Sequence, residues 1–280
     1  MTRRLAAAVN LIKTWALLIG ASALLAGLGW LIGGYRLFSI VFFAGLLAGI
    51  ALYWYADRAI LGIVRARELV ETEAVQLFGA ADRIAARAHT PRPRLYVVGD
   101  GHPRVLSAGR GGKGHSIVFT TGLLAAAQPA ELEGLIGHEI AHSVRRDLLT
   151  QTVAAVVGST LLEVSRAGGW FQRALLFVLG PIASATVHGL LSPRRELTAD
   201  ADAAELCESP HGLADALLRL EQANELVAYA GNPAVEPRYV VNPFEEQGLA
   251  ALFSTHPPTG ERVSRLRGMD PEWKEQVEAA

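Results

Sequence analysis

The chain has 280 residues, 51% of them hydrophobic, with 26 Lys and Arg against 27 Asp and Glu for a net charge of −1. That balance argues against a nucleic acid or a strongly acidic substrate as principal partner. A single cysteine, Cys207, excludes an intrachain disulfide and a cysteine-rich metal site, and its alanine-rich helical setting reads as that of a buried, inert thiol.

The apolar residues are concentrated in four blocks. Trp15–Ile32 and Leu37–Tyr55 carry no charge, and each approaches the roughly 20 residues that span a bilayer. With Gly33-Gly34-Tyr35-Arg36 between them they predict a tight transmembrane hairpin. A cleavable signal peptide is the rival reading, but the small-residue triplet Ala21-Ser22-Ala23 lies inside the apolar run and a second span follows at once. Arg3, Arg4 and Lys13 precede the hairpin and Arg58, Arg65 and Arg67 follow it, with only Arg36 in the turn. By the positive-inside rule both ends of the hairpin face the cytoplasm.

From Ala66 to Ala88, apolar residues including Leu69, Val70, Leu77, Phe78, Ala81 and Ile84 recur at helical period, predicting an amphipathic helix ended by Thr90-Pro91-Arg92-Pro93. Leu95–Val98, Val105–Ser107 and Ile117–Thr120 read as strands, the last two joined by a glycine-dense hairpin turn around Gly109–Gly114. That turn is not a phosphate loop: Gly112-Lys113 is followed by Gly114 rather than Ser or Thr. Gln128-Pro129, with Glu131 and Glu133, opens a helix that continues to about Asp147.

This helix carries His138-Glu139-Ile140-Ala141-His142. Histidines four apart project from one helical face and can take two corners of a tetrahedral zinc site, while Glu139 beside them can act as the general base for a water activated there. Apolar Leu132, Leu135, Ile136 and Ile140 pack the other side. A catalytic zinc needs a third protein ligand and an open position. Downstream, Ser192-Pro193 starts a helix on which Glu196 and Asp200 share a face. Glu196 is the expected third ligand, and Asp200 the acceptor of a ligand histidine's free ring N–H.

The third and fourth apolar blocks, Val153–Leu162 and Ala174–Leu191, separate these two halves of the site. If both halves bind one metal, the chain between them crosses the bilayer either twice or not at all. Two crossings and a hairpin of buried core helices both meet that condition.

Taken together, these motifs resemble the HtpX family of membrane zinc endopeptidases, relatives of the prenyl-protein proteases. Besides the metal motif, the resemblance rests on the two hydrophobic pairs, Thr121-Gly122-Leu123-Leu124, Asp147, Arg195-Glu196-x-x-Ala199-Asp200-x-x-Ala203 and Ser254-Thr255-His256-Pro257-Pro258. It implies a gluzincin-like site with one Zn2+ per chain held by His138, His142 and Glu196, with Glu139 as base and the site facing the cytoplasm. It also implies a bacterial inner-membrane protein that degrades damaged or misassembled membrane proteins and exposed cytosolic segments. The chain carries no nucleotide motif, so ATP-independent cleavage is expected. A zinc-stapled scaffold or holdase and a dedicated processing protease are the alternatives.

Pro193 stands where the family commonly has arginine, and Pro103–Gly109 departs from the Asn-Ala-containing strand usual beside the cleft. An edge strand there would bind substrate by strand addition, with Arg104 and Val105 altering preference. His256 is either an oxyanion donor near the zinc or a capping residue before the double proline. His89, His102, His115, His188 and His211 lack companion ligands at metal spacing and read as structural or surface residues.

The expected fold is therefore mainly α with a small β-sheet, transmembrane hairpins being joined to a cytoplasmic zinc-peptidase domain. Its parts are an N-terminal hairpin (1–64), a segment with the amphipathic helix, sheet and metal helix (65–147), a second hydrophobic hairpin (148–191) and a third-ligand helix with the C-terminal part (192–280).

Overall fold

The computed structural model describes residues 3–111, 114–146, 148, 193–226 and 257–272. Helix α1, Arg3–Ile63, is two helices broken at Gly33-Gly34. Gly34 sits at φ 63°, a backbone conformation that a residue with a β-carbon adopts only under strain, so the chain reverses there. The two arms, Ala8–Leu31 and Gly33–Tyr55, are each long and apolar enough to cross a membrane. Large side chains such as Leu31, Phe43 and Leu47 lie exposed along them, as lipid-facing residues do. Trp15 and Tyr53 pack ring to ring at 5.3 Å across the two arms.

Past the hairpin, β1 (Arg67–Glu68) and a 3₁₀ turn (Glu71–Glu73) precede α2 (Val75–Arg87). The helix expected from Ala66 is therefore shorter than its periodicity suggests. Arg67 and Glu68 pair antiparallel with β2 (Arg94–Val98), and Leu69 N–H donates to Leu95 O, so sheet pairing claims the backbone that the helical pattern would have used. Leu77, Phe78, Ala81 and Ile84, the apolar face of α2, are buried as their spacing requires.

Strands β3 (Val105–Gly111) and β4 (Gly114–Thr120) form the expected antiparallel hairpin, its tip at residues 112–113 lying outside the described residues. β4 also pairs parallel with β2, giving the order β1-β2-β4-β3 and leaving β3 at an edge. Alternation assigns the two faces of this sheet to different partners. Leu95, Val97, Val105, Ile117 and Phe119 join the main core beneath the helices. Tyr96, Leu106 and Val118 point the other way and pack on Ile60, Leu61, Val64 and Ala66, just past the second apolar arm.

A short helix α3 (Thr121–Ala126), capped by Thr120 Oγ1 accepting from Leu123 N–H, leads into α4 (Pro129–Arg145). Pro129 at the first turn and Glu131 accepting from Gln128 N–H at 2.9 Å start α4, and Arg146 in the left-handed conformation ends it. This helix is the centre of the domain, packed against α2, β3 and two later helices, α5 (Pro193–Cys207) and α6 (His211–Leu226). The approach of α4 to α6 is close enough that a β-carbon on Gly134 would stand 2.4 Å from Leu213 N. The last described helix, α7 (Thr259–Arg267), covers α5 and α6.

A polar contact joins the first arm to α4: Asn10 Nδ2 donates to Arg145 O at 3.0 Å, satisfying a carbonyl at the end of the helix. The start and the end of the hairpin thus both rest on the domain that holds α4. The second hydrophobic pair lies outside the described residues, as does Asp147.

Candidate metal centre

Histidines 138 and 142 project one turn apart from α4, toward Glu196 on the first turn of α5. His138 Nε2 and His142 Nε2 are 3.1 Å apart, and Glu196 Oε2 lies 3.5 and 3.3 Å from them. Four-coordinate zinc with ligands at about 2.0–2.1 Å separates them by about 3.3 Å, so the triangle has the edge length of a zinc tetrahedron. This is the one cluster of three or more potential His, Cys, Asp or Glu ligands among the described residues. All three side chains are buried.

The surroundings orient each donor. His138 Nδ1 lies 2.9 Å from Asp200 Oδ1, at ion-pair distance though off the line of a straight hydrogen bond. That neighbour favours the proton on Nδ1 and leaves the Nε2 lone pair for a metal. Asp200 is in turn gripped by Arg262 of α7, whose Nε and Nη2 donate at 2.8 and 2.7 Å to its two oxygens. Burial opposes ionisation of Asp200, but the guanidinium outweighs it and holds the carboxyl well below the usual carboxylate range. Burial likewise works against the charge on Arg262, and Asp200 keeps it protonated. Arg195 Nη2 donates to Glu196 Oε1 at 3.3 Å, leaving Oε2 turned toward the histidines.

Glu139, 3% exposed, accepts a short hydrogen bond from Ser107 Oγ of β3. At this site, among the described residues, the buried carboxylates Glu139, Glu196 and Asp200 face two guanidinium groups, Arg195 and Arg262. The excess negative charge, with three converging lone-pair donors, suits a bound divalent cation.

The structure brings His138, His142, Glu196, Glu139 and Asp200 together, while His256 lies outside the described residues. Arg104 and Val105, expected to alter substrate preference, instead point inward at 5% and 1% exposure. Arg104 Nη1 donates to Asp100 at 3.0 Å, and Val105 belongs to the main core. Ser107 and Arg262 escaped the sequence reading. Their signal was a polar residue on an inward row: Ser107 two positions after Val105 in a strand, and Arg262 between Thr259 and Leu266 on the buried stripe of α7.

A model of Peptidase family M48 matches residues 71–270. A Protease HtpX homolog from Thermococcus kodakarensis is 36% identical over 274 residues, spanning 91% of this chain and 94% of that one. Homologs with the same name from Pelotomaculum thermopropionicum and Acidiphilium cryptum are 34% and 35% identical, spanning 93% of this chain and 99% and 96% of theirs. The chain is an HtpX-type member of peptidase family M48. It is a metalloprotease, and its two apolar arms make it a membrane protein.

The fold also matches a solved structure, S. mikatae Ste24p, with a TM-score of 0.53 at 16% identity; the match covers 92% of this chain and 65% of that one. The mostly helical M48 architecture with a small mixed sheet thus agrees with the fold read from the sequence. Outside the metal centre, histidines of this HtpX-type chain find other partners. His115 is buried with Nδ1 2.8 Å from Ser143 Oγ, His102 pairs with Asp100, and His211 lies between Asp270 and Arg267. Cys207, expected to be buried, is half-buried against Glu133 O, its pKa pushed up to about 12 by burial and then by Glu133.

Proposed function

We propose that this chain is a zinc endopeptidase of the inner membrane whose site faces the cytoplasm and which cleaves misfolded or damaged membrane proteins and exposed cytosolic segments without ATP. The observation that carries the reading is the convergence of His138 Nε2, His142 Nε2 and Glu196 Oε2 at 3.1–3.5 Å beside buried Glu139. Zinc held there supplies a Lewis acid that lowers the pKa of a water toward about 7 and polarises the scissile carbonyl. The residues of the chain do the rest. Glu139 takes the proton of the attacking water and passes it to the leaving amine. Asp200 fixes the tautomer of His138 through its ring N–H, and Arg262 keeps Asp200 ionised. The edge of β3 receives the substrate backbone as an added strand, a mode that suits unfolded segments because it reads main chain more than side chains. His256 is assigned as a donor to the oxyanion.

The cytoplasmic placement rests on the basic residues around the hairpin and on both ends of the hairpin meeting the catalytic domain. The quality-control role rests on the family resemblance and on the lack of any nucleotide motif in the chain. The test is cleavage of a loosely folded membrane protein by detergent-purified enzyme. Glu139→Gln is expected to lower kcat by about 10²–10⁴ while zinc stays bound, and chelation to abolish turnover reversibly. Full activity in Glu139→Gln would sink the mechanism.

A further inference from the structure

Glu139 is a buried carboxylate at the end of a flexible side chain, and among the described residues a single hydrogen bond reaches its oxygens, that from Ser107 Oγ. Ser107 is 1% exposed, lies opposite Ile117 in the β-ladder and shares the inward row of β3 with Val105. Its hydroxyl has one O–H to donate, and the carboxylate Oε2 of Glu139 accepts that hydrogen bond. The two carboxylate oxygens are thereby made unequal: Oε2 is tethered, and Oε1 is left to exchange protons with the reacting groups. A general base works only within hydrogen-bond reach of the proton it abstracts, and small displacements cost rate.

The tether also starts from a telling place. β3 is an edge strand, with β4 on one side and no strand on the other among the described residues. The strand that presents its free edge to a substrate is the one that holds the base.

We infer that Ser107 is a positioning residue that anchors Glu139 Oε2 to the substrate-binding edge strand, so that a substrate added to β3 meets a base already set in register with it. The inference rests on the zinc-peptidase reading above and deepens it. In that arrangement the hydroxyl serves transition-state geometry and not substrate affinity, so its loss falls on kcat.

The experiment compares detergent-purified wild type with Ser107→Ala, Ser107→Thr and Glu139→Gln on one unfolded protein substrate. Bound zinc, melting temperature and the affinity of a peptide hydroxamate are measured on each. A hydroxamate chelates the metal and shares a proton with the base, so it reports the position of Glu139 without turnover. Ser107→Ala is expected to lose about ten-fold in kcat at nearly unchanged KM and to bind the hydroxamate several-fold more weakly, with zinc content and melting temperature kept. Ser107→Thr, which retains the hydroxyl, is expected to recover most of both.

The assignment is overturned if Ser107→Ala has wild-type kcat and hydroxamate affinity, if its defect lies in KM alone, or if it loses zinc or melts early, which would make the hydroxyl part of the scaffold. It is also overturned if Ser107→Thr folds and binds zinc but stays as impaired as Ser107→Ala. Failure of the parent reading looks different: a wild type that cleaves nothing, or a Glu139→Gln enzyme that remains active.

Discussion

The fully buried Arg262 is coupled to the metal centre without being placed to touch a metal. Its two hydrogen bonds to Asp200 keep charged a carboxylate that burial alone would neutralise, and Asp200 steers the ring of His138. Arg262→Met leaves that charge buried without its guanidinium partner, and should weaken zinc binding about 10- to 100-fold in a chelator competition, the scale of effect seen when the partner of a ligand is removed. Arg262→Lys should fall between, since an ammonium cannot make the two-pronged contact. His115 gives a second residue-scale expectation. Burial depresses its pKa from 6.5 to about 4, so between these values the unfolded chain binds a proton that the folded chain refuses. Stability should be full above about pH 7 and decline as the pH falls toward 4, by on the order of 3 kcal/mol over the window. Melting temperatures from pH 7 to pH 5 should fall less steeply in His115→Gln than in wild type.

The helices owe their contact to small residues as much as to apolar ones. Gly134 lets α4 meet α6, and Gly137 does the same toward α5, where an added β-carbon would lie 2.5 Å from Cys207 Sγ. Gly134→Ala gains up to about 1 kcal/mol in helix propensity but drives a methyl into the backbone of Leu213. A net loss of about 1–3 kcal/mol in denaturant melting is expected, with α4 and its ligands pushed off α6. Legibility also divides at this scale. α4 could be read because its start signal, its apolar stripe and its two histidines are all local, and the β3–β4 hairpin because alternation and a glycine turn are local too. The stretch from Ala66 to Ala74 does not follow its spacing, because a helical pattern there is overruled by pairing with β2, as in Glu68 opposite Tyr96, 28 residues later. Arg262 shows the same limit for the site: a charge on the buried stripe of α7 means nothing until Asp200, 62 residues earlier, is seen beneath it. Glu196 was within reach because its helix start and its i, i+4 partner are adjacent in the chain.

Across the whole molecule, the sheet is a shared wall between peptidase and membrane anchor. One face lies beneath α2 and α4, while the other receives Ile60, Leu61 and Val64 from the end of the hairpin, and Asn10 reaches from its start to the end of α4. Both contacts require the two ends of the hairpin to lie on the catalytic side and its turn at Gly34 to lie on the other. A membrane-impermeant maleimide should therefore label Tyr35→Cys and Arg65→Cys from opposite sides of sealed vesicles, and labelling of both from one side would refute the hairpin. The native Cys207 leaves a quiet background, being half-buried with a thiol pKa near 12.

The Asp200–Arg262 pair has a consequence in time as well as in space. During synthesis the histidines of α4 leave the ribosome first, Glu196 follows, and the arginine that charges the support of His138 comes later still. A nascent chain, or a fragment cut short before α7, thus carries the metal-binding motif without the brace that sets it. Such a chain is expected to hold zinc about 10- to 100-fold more weakly than the whole protein, which chelator competition on a chain ended before α7 would measure.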